Sequence, residues 1–209
     1  MTEFICGMVV ASILAMPAMA QSVTPSAIRI HNETLDGSVL DVLGELANKY
    51  HVVIGIYGAS AGSGESGISI TMSEGTLAEL FDAIVKADPR LIWKRTERGT
   101  IHFLYRDRPL SLFDVAVRSF HVEKARRSEI SGRLEQMPEV SAWLRSHGCS
   151  MVDWIAGVNV KRKESRDFDL HLEGVALPAV FDEIAARSGT YFWYAIQTRS
   201  SPCEISVRP

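Results

Sequence analysis

Three residues in 209 are cysteine, and neither Cys-x-x-Cys nor His-Glu-x-x-His occurs. The ligand spacing of zinc fingers and zincins is therefore missing. The six histidines (His31, His51, His102, His121, His147 and His171) stand singly, so the sequence predicts no metal and no cofactor. A surplus of positive charge is missing too. The net charge of −3 and a pI near 6.1 argue against a general nucleic-acid binder. Beyond residue 20 no apolar run approaches the roughly 20 residues that span a bilayer as a helix, so no transmembrane segment is expected after that point. With 46% apolar residues and 22% charged, the chain can bury one moderate core or two small ones.

The first twenty residues read as a cleaved leader. Phe4–Met16 is apolar apart from Ser12, Pro17 interrupts it, and Ala18-Met19-Ala20 has the small-x-small form of a cleavage site before Gln21. Met1–Glu3 lacks the usual basic residue. Cys6 lies in the apolar run without the small residues that precede a lipid-modified cysteine, which leaves Cys149 and Cys203 in the exported chain. An oxidising compartment permits these two to pair, and a Cys149–Cys203 disulfide is the expectation; two buried free thiols are the alternative.

One stretch is written twice. Ile70–Trp93 and Leu170–Trp193 align without a gap: Leu77 with Leu177, Phe81 with Phe181, Asp82 with Asp182, Ile84 with Ile184, Trp93 with Trp193. Such a period suits a duplicated small domain rather than a solenoid unit. The expected organisation is a tether (21–27), a first unit (28–105), a linker (106–114) and a divergent second unit (115–209). In the first unit, Ile28–His31 alternates as a strand. Leu35, Val39, Leu43, Leu46 and Ala47 recur at helical spacing, and Val52–Tyr57 is apolar enough for a buried strand. Residues 58–67 form a glycine and serine loop, and Ile68, Ile70 and Met72 resume alternation. Thr76 with Glu79 forms a capping box for the repeated helix, Pro89 stops it, and a hairpin comes next around residues 96–99. The unit reads β-α-β-β-α-β-β. The second unit adds a helix near Lys124–Gln136, which Pro138 separates from the next. Cys149 and Cys203 open its second and last strands.

This pattern resembles the short N-terminal domain of secretins and TonB-dependent receptors. The resemblance rests on Leu35, Val39-Leu40 and Leu46-Ala47 before the Val52–Tyr57 strand. It continues through Ile70-x-Met72, Leu77-x-x-Leu80-Phe81-x-x-Ile84 and Leu91-x-Trp93. It covers residues 28–105 well and the second unit only from about Phe168. It implies an α+β fold of two tandem modules, each with small mixed sheets packed on helices. It also implies a non-enzymatic periplasmic protein acting through protein–protein contacts: an adaptor, a secretion-assembly accessory or a signal relay. Its partners would be a secretin, a TonB-dependent receptor or an inner-membrane regulator. No β-barrel or secretin channel succeeds the two units in this sequence.

Several motifs compete with that reading. Gly58-Ala59-Ser60-Ala61-Gly62 fits the G-x-S-x-G nucleophile elbow, which would make the chain a small serine hydrolase using Ser60. The elbow needs a helix after the serine, and more glycine and a strand stand there instead. Gly62–Gly67 fits G-x-G-x-x-G and fails the same context test. Lys161, Arg162, Lys163 and Arg166 form a basic loop suited to an acidic partner, although Glu164 and Asp167 dilute it. A periplasmic ligand-binding protein with a pocket between the units is a further alternative. Asp82 and Asp182, the only repeated ionisable pair, are expected on the exposed sides of their helices.

Overall fold

A computed structural model describes residues 24–59, 67–152, 166–198 and 203–208. The leader, Ser60, most of the glycine loop and Lys161–Lys163 of the basic loop lie outside the described residues. The chain is mixed α+β. In order, its elements are β1 (Arg29–Ser38), α1 (Val39–Tyr50), β2 (Ile54–Ala59), β3 (Gly67–Thr76), α2 (Leu77–Ala87), β4 (Leu91–Arg95) and β5 (Ile101–Tyr105). Next come β6 (Ala116–Ala125), α3 (Ile130–Glu135), α4 (Pro138–His147), β7 (Cys149–Val152), β8 (Phe168–Ala176), α5 (Leu177–Ser188), β9 (Phe192–Thr198) and β10 (Cys203–Arg208).

Local signals explain most of these boundaries. Thr76 and Glu79 form the expected capping box: Thr76 Oγ1 accepts from the Glu79 backbone N–H, and Glu79 Oε2 accepts from the Thr76 N–H. Pro138 opens α4, where its missing N–H costs nothing, and Gly148 ends it at φ 60°. Two expectations need correction. Leu35 lies on β1, not on the helix, because β1 pairs antiparallel with β3 as far as Ser38, with Leu35 opposite Ile70. Helix α1 then starts at Val39, capped by Ser38 Oγ, which accepts from the Asp41 N–H at 3.2 Å. The extra helix expected over residues 124–136 shortens to Ile130–Glu135, because β6 runs on to Ala125. Its Ile130 and Leu134 are buried, in keeping with the thin apolar stripe.

Among the described residues the strands form three sheets. Two are antiparallel pairs, β1–β3 and β6–β8; the third has six strands in the order β4-β5-β2-β9-β10-β7. Within it, β2 is parallel to β5 and β4 antiparallel to β5, while β7 is parallel to β10 and β9 antiparallel to β10. The same three-strand pattern thus occurs in each half of the sequence. The halves meet where β2 and β9 pair in parallel, from Ile54 opposite Phe192 to Ala59 opposite Gln197.

Strand β9 serves both cores. Phe192, Tyr194 and Ile196 belong to the cluster built on α1 and α2, with Leu43, Phe81 and Phe103. Trp193 and Ala195 belong to the cluster built on α3, α4 and α5, with Leu144 and Phe181, and Tyr57 joins them from β2. Successive residues of a strand face opposite sides, so each half packs its helices on a different face of one shared sheet.

Candidate functional site

A densely bonded polar group sits at the β2–β9 seam. Asp182, on α5, is only 4% exposed. Its carboxylate accepts from Trp193 Nε1 at 2.7 Å and from Thr100 Oγ1 at 2.8 Å, and His102 Nε2 lies 3.0 Å from both of its oxygens. A carboxylate only accepts, so Nε2 is the nitrogen of His102 that carries hydrogen. Asp182 and Trp193 come from the second half, Thr100 and His102 from the first. The group is a buried polar weld between halves, with three donors satisfied by one carboxylate.

The indole of Trp193 lies across the seam. Register places Trp193 opposite Gly55, and a Cβ on Gly55 would fall 2.3 Å from the indole ring. Only glycine leaves room for that close approach. The ring stacks on Phe181 at 4.9 Å and on Tyr57 at 5.6 Å between centroids. Burial, with the Asp182 and Asp114 charges nearby, pushes the Tyr57 phenol up to about 12.

The first half carries the same device at the sheet's outer edge. Trp93 Nε1 donates to Asp82 Oδ1 at 2.7 Å, across the same eleven-residue step as Trp193 to Asp182. Phe81 packs edge-on against Trp93 at 5.4 Å. Asp82 is exposed and Trp93 half-buried. The six-stranded sheet ends at β4 on this side, and Ile92, 36% exposed, is the one large hydrophobic side chain exposed among the described residues. Asp82 therefore sits where its helix alone would put it, and Asp182 does not: His102 on β5 of the first half and Thr100 just before that strand supply further donors to the buried carboxylate.

The chemistry open to these groups is limited. Thr100 donates to the aspartate rather than to a histidine nitrogen, so the order nucleophile–base–acid of a catalytic triad is not met. His102, at 3% exposure, is closed to a substrate. Elsewhere, Cys149 and Cys203 are bridged, with an S–S distance of 2.03 Å and Cα atoms 4.5 Å apart, because β7 and β10 run parallel with these two residues in direct register. Arg166, the described member of the basic loop, is exposed, and its backbone N–H donates to the Ser188 carbonyl at 3.3 Å. A cleft of about 460 Å³ is lined by Arg29, His31, Glu74, Gly75 and Glu79, all from the first half and none from the seam. No helix among the described residues is long and apolar enough to cross a membrane.

Sequence reasoning alone does not find the seam, although a signal for it exists. Phe192–Ile196 is apolar at every position, as a strand buried on both faces must be. Its repeat partner ends in Lys94-Arg95, the charged finish of an edge strand. No family model and no curated protein matches this chain.

Proposed function

We propose that this chain is an exported, non-catalytic envelope protein of the secretin/TonB short N-terminal domain type, made of two related modules, that works by protein–protein contact. Its partner would be a secretin, a TonB-dependent receptor or an inner-membrane regulator, engaged in the periplasm. The observation that carries the reading is the pair of Trp–Asp devices. At β9 the device receives a parallel strand with a glycine opposite the tryptophan. At β4 the equivalent device borders an open sheet edge, beside exposed Ile92. Adding an extended segment to such an edge is a common mode of peptide recognition. The disulfide is compatible with export.

A photo-crosslinking amino acid at position 92, used in intact cells, tests this. A discrete envelope protein should be captured there, and not from a crosslinker at exposed His147 on α4. Equal capture from both positions, or none from either, would defeat the reading. Gly67 opens strand β3 rather than a helix, which weakens the serine-hydrolase alternative. Covalent labelling of Ser60 by a fluorophosphonate probe would revive it.

A further inference from the structure

The outer face of the β6–β8 pair brings together two histidines fifty residues apart. Register sets His121 directly opposite His171, and their Nδ1 atoms are 3.2 Å apart. On the far side of each ring a glutamate two residues along the same strand approaches Nε2: Glu123 Oε1 at 3.2 Å and Glu173 Oε1 at 3.2 Å. The imidazoles are 54% and 60% exposed. The intervening Phe120, Val122 and Leu170 are buried in the core.

Placing the hydrogens exposes a conflict. Ionised glutamates only accept, so Nε2 of His121 carries its ring's N–H toward Glu123, and Nε2 of His171 faces Glu173 favourably only when it does the same. A neutral imidazole has one N–H, so the two Nδ1 atoms then present lone pairs to each other. Moving a hydrogen to one Nδ1 repairs the centre and turns a lone pair toward a glutamate. A cation between the rings satisfies all four contacts together. Two imidazole nitrogens at metal–nitrogen distances of about 2.0–2.1 Å and a tetrahedral angle lie roughly 3.3 Å apart, close to the separation here.

We propose that His121 and His171 form a binding site for a late first-row divalent cation, Cu²⁺, Ni²⁺ or Zn²⁺, ligated through both Nδ1 atoms. Glu123 and Glu173 hold the tautomers by accepting from Nε2, the outer-shell arrangement that metal-binding histidines commonly have. No group of three or more potential ligands occurs among the described residues, so water completes the coordination and the site is open. Imidazole suits these metals, and Cu²⁺ should bind tightest. The first half lacks the site: its register sets Thr34 opposite Thr71, and Thr71 is the repeat equivalent of His171.

The test is titration of tag-free protein with each of the three ions, read by calorimetry, and by electron paramagnetic resonance for Cu²⁺. One ion per chain should bind, with two imidazole nitrogens in the Cu²⁺ spectrum. His121→Ala and His171→Ala should each abolish saturable binding, while His31→Ala and His147→Ala leave it unchanged. Glu123→Gln with Glu173→Gln should weaken it roughly ten- to a hundredfold. The proposal is overturned if no ion binds saturably, which would leave a shared proton as the cation between the rings. Binding that survives the double histidine variant, or a wild-type Cu²⁺ spectrum with a single imidazole, would also overturn it. The wild-type spectrum decides even where a variant fails to fold.

Discussion

The corner from α2 into β4 and the corner from α5 into β9 share a plan and differ in where the sheet puts them. Asp88 and Arg90 brace the first: Arg90 Nε donates to Asp88 Oδ1 at 2.8 Å and Nη2 to Oδ2 at 2.7 Å. Ser188 and Thr190 occupy the equivalent places in the second, hydroxyl to hydroxyl at 3.0 Å, both buried. The outer corner keeps a charge pair, whose cost of dehydration is small with Arg90 partly in solvent. The inner corner, where both side chains are buried, carries neutral groups. One local design therefore serves two roles, and position in the sheet, more than the repeat itself, decides which polar groups each copy can hold.

The contrast can be broken most severely at Gly55. In Gly55→Val the new side chain occupies the space of the Trp193 indole, and β2 must leave β9. A loss of about 3 kcal/mol or more in urea unfolding is expected. Gly132→Ala, where a Cβ meets nothing within 4 Å, should instead be neutral or stabilising by about 0.5–1 kcal/mol. Equal behaviour of the two variants would mean that the seam is not closed in solution. Next comes Asp182→Ala, which strands two buried donors, Trp193 Nε1 and His102 Nε2, at about 1–3 kcal/mol each, less whatever relaxation recovers; the half-buried Thr100 hydroxyl keeps Thr96 Oγ1 as a partner at 2.6 Å. Asp82→Ala, at the exposed copy, should stay within roughly 0.5 kcal/mol. Matching losses at 82 and 182 would erase the distinction between edge and seam.

Breaking the Cys149–Cys203 bridge, which closes a separation of 54 residues, should lower stability by roughly 2–4 kcal/mol. Hydrogen exchange should show β7 and β10 loosening before β4 and β5. The smallest effect is at the outer corner. The Arg90 guanidinium holds the Asp88 carboxyl below the usual carboxylate range. Because the folded value is the lower one, this stabilisation is complete above the unfolded value near about 4 and is lost as pH falls through the folded value. Asp88→Asn should therefore flatten the acid limb of the stability curve. An unchanged acid limb would remove the ion pair from the comparison.

The local elements are legible in the sequence because their causes are local. The Thr76–Glu79 box, the apolar stripe of α2, the Pro138 start and the cysteines at two strand openings are short-range patterns, and the fold class rests on them. The start of α1 is ambiguous because Leu35 satisfies a helical spacing and a strand alternation at once, and the distant β3 decides between them. Pairing of β2 with β9 and of His121 with His171 joins residues far apart in the chain, where periodicity carries no register. Asp182 has the look of a surface residue because its helix alone would leave it one; two donors from the first half, Thr100 and His102, and the sheet that carries them bury it.

Strand β9 feeds both cores, and this sets an order of events for the newly made chain. Strand β2 lies well over a hundred residues before β9 in sequence, so the seam closes by a contact of high sequence separation, which slows folding. In a chain that emerges from its N-terminus, Ile54, Ile56 and Tyr57 wait beside an unpaired edge until β9 has emerged. During that interval the first half is sticky, and a holding chaperone or a prompt partner would be needed to keep it from pairing with the wrong strand.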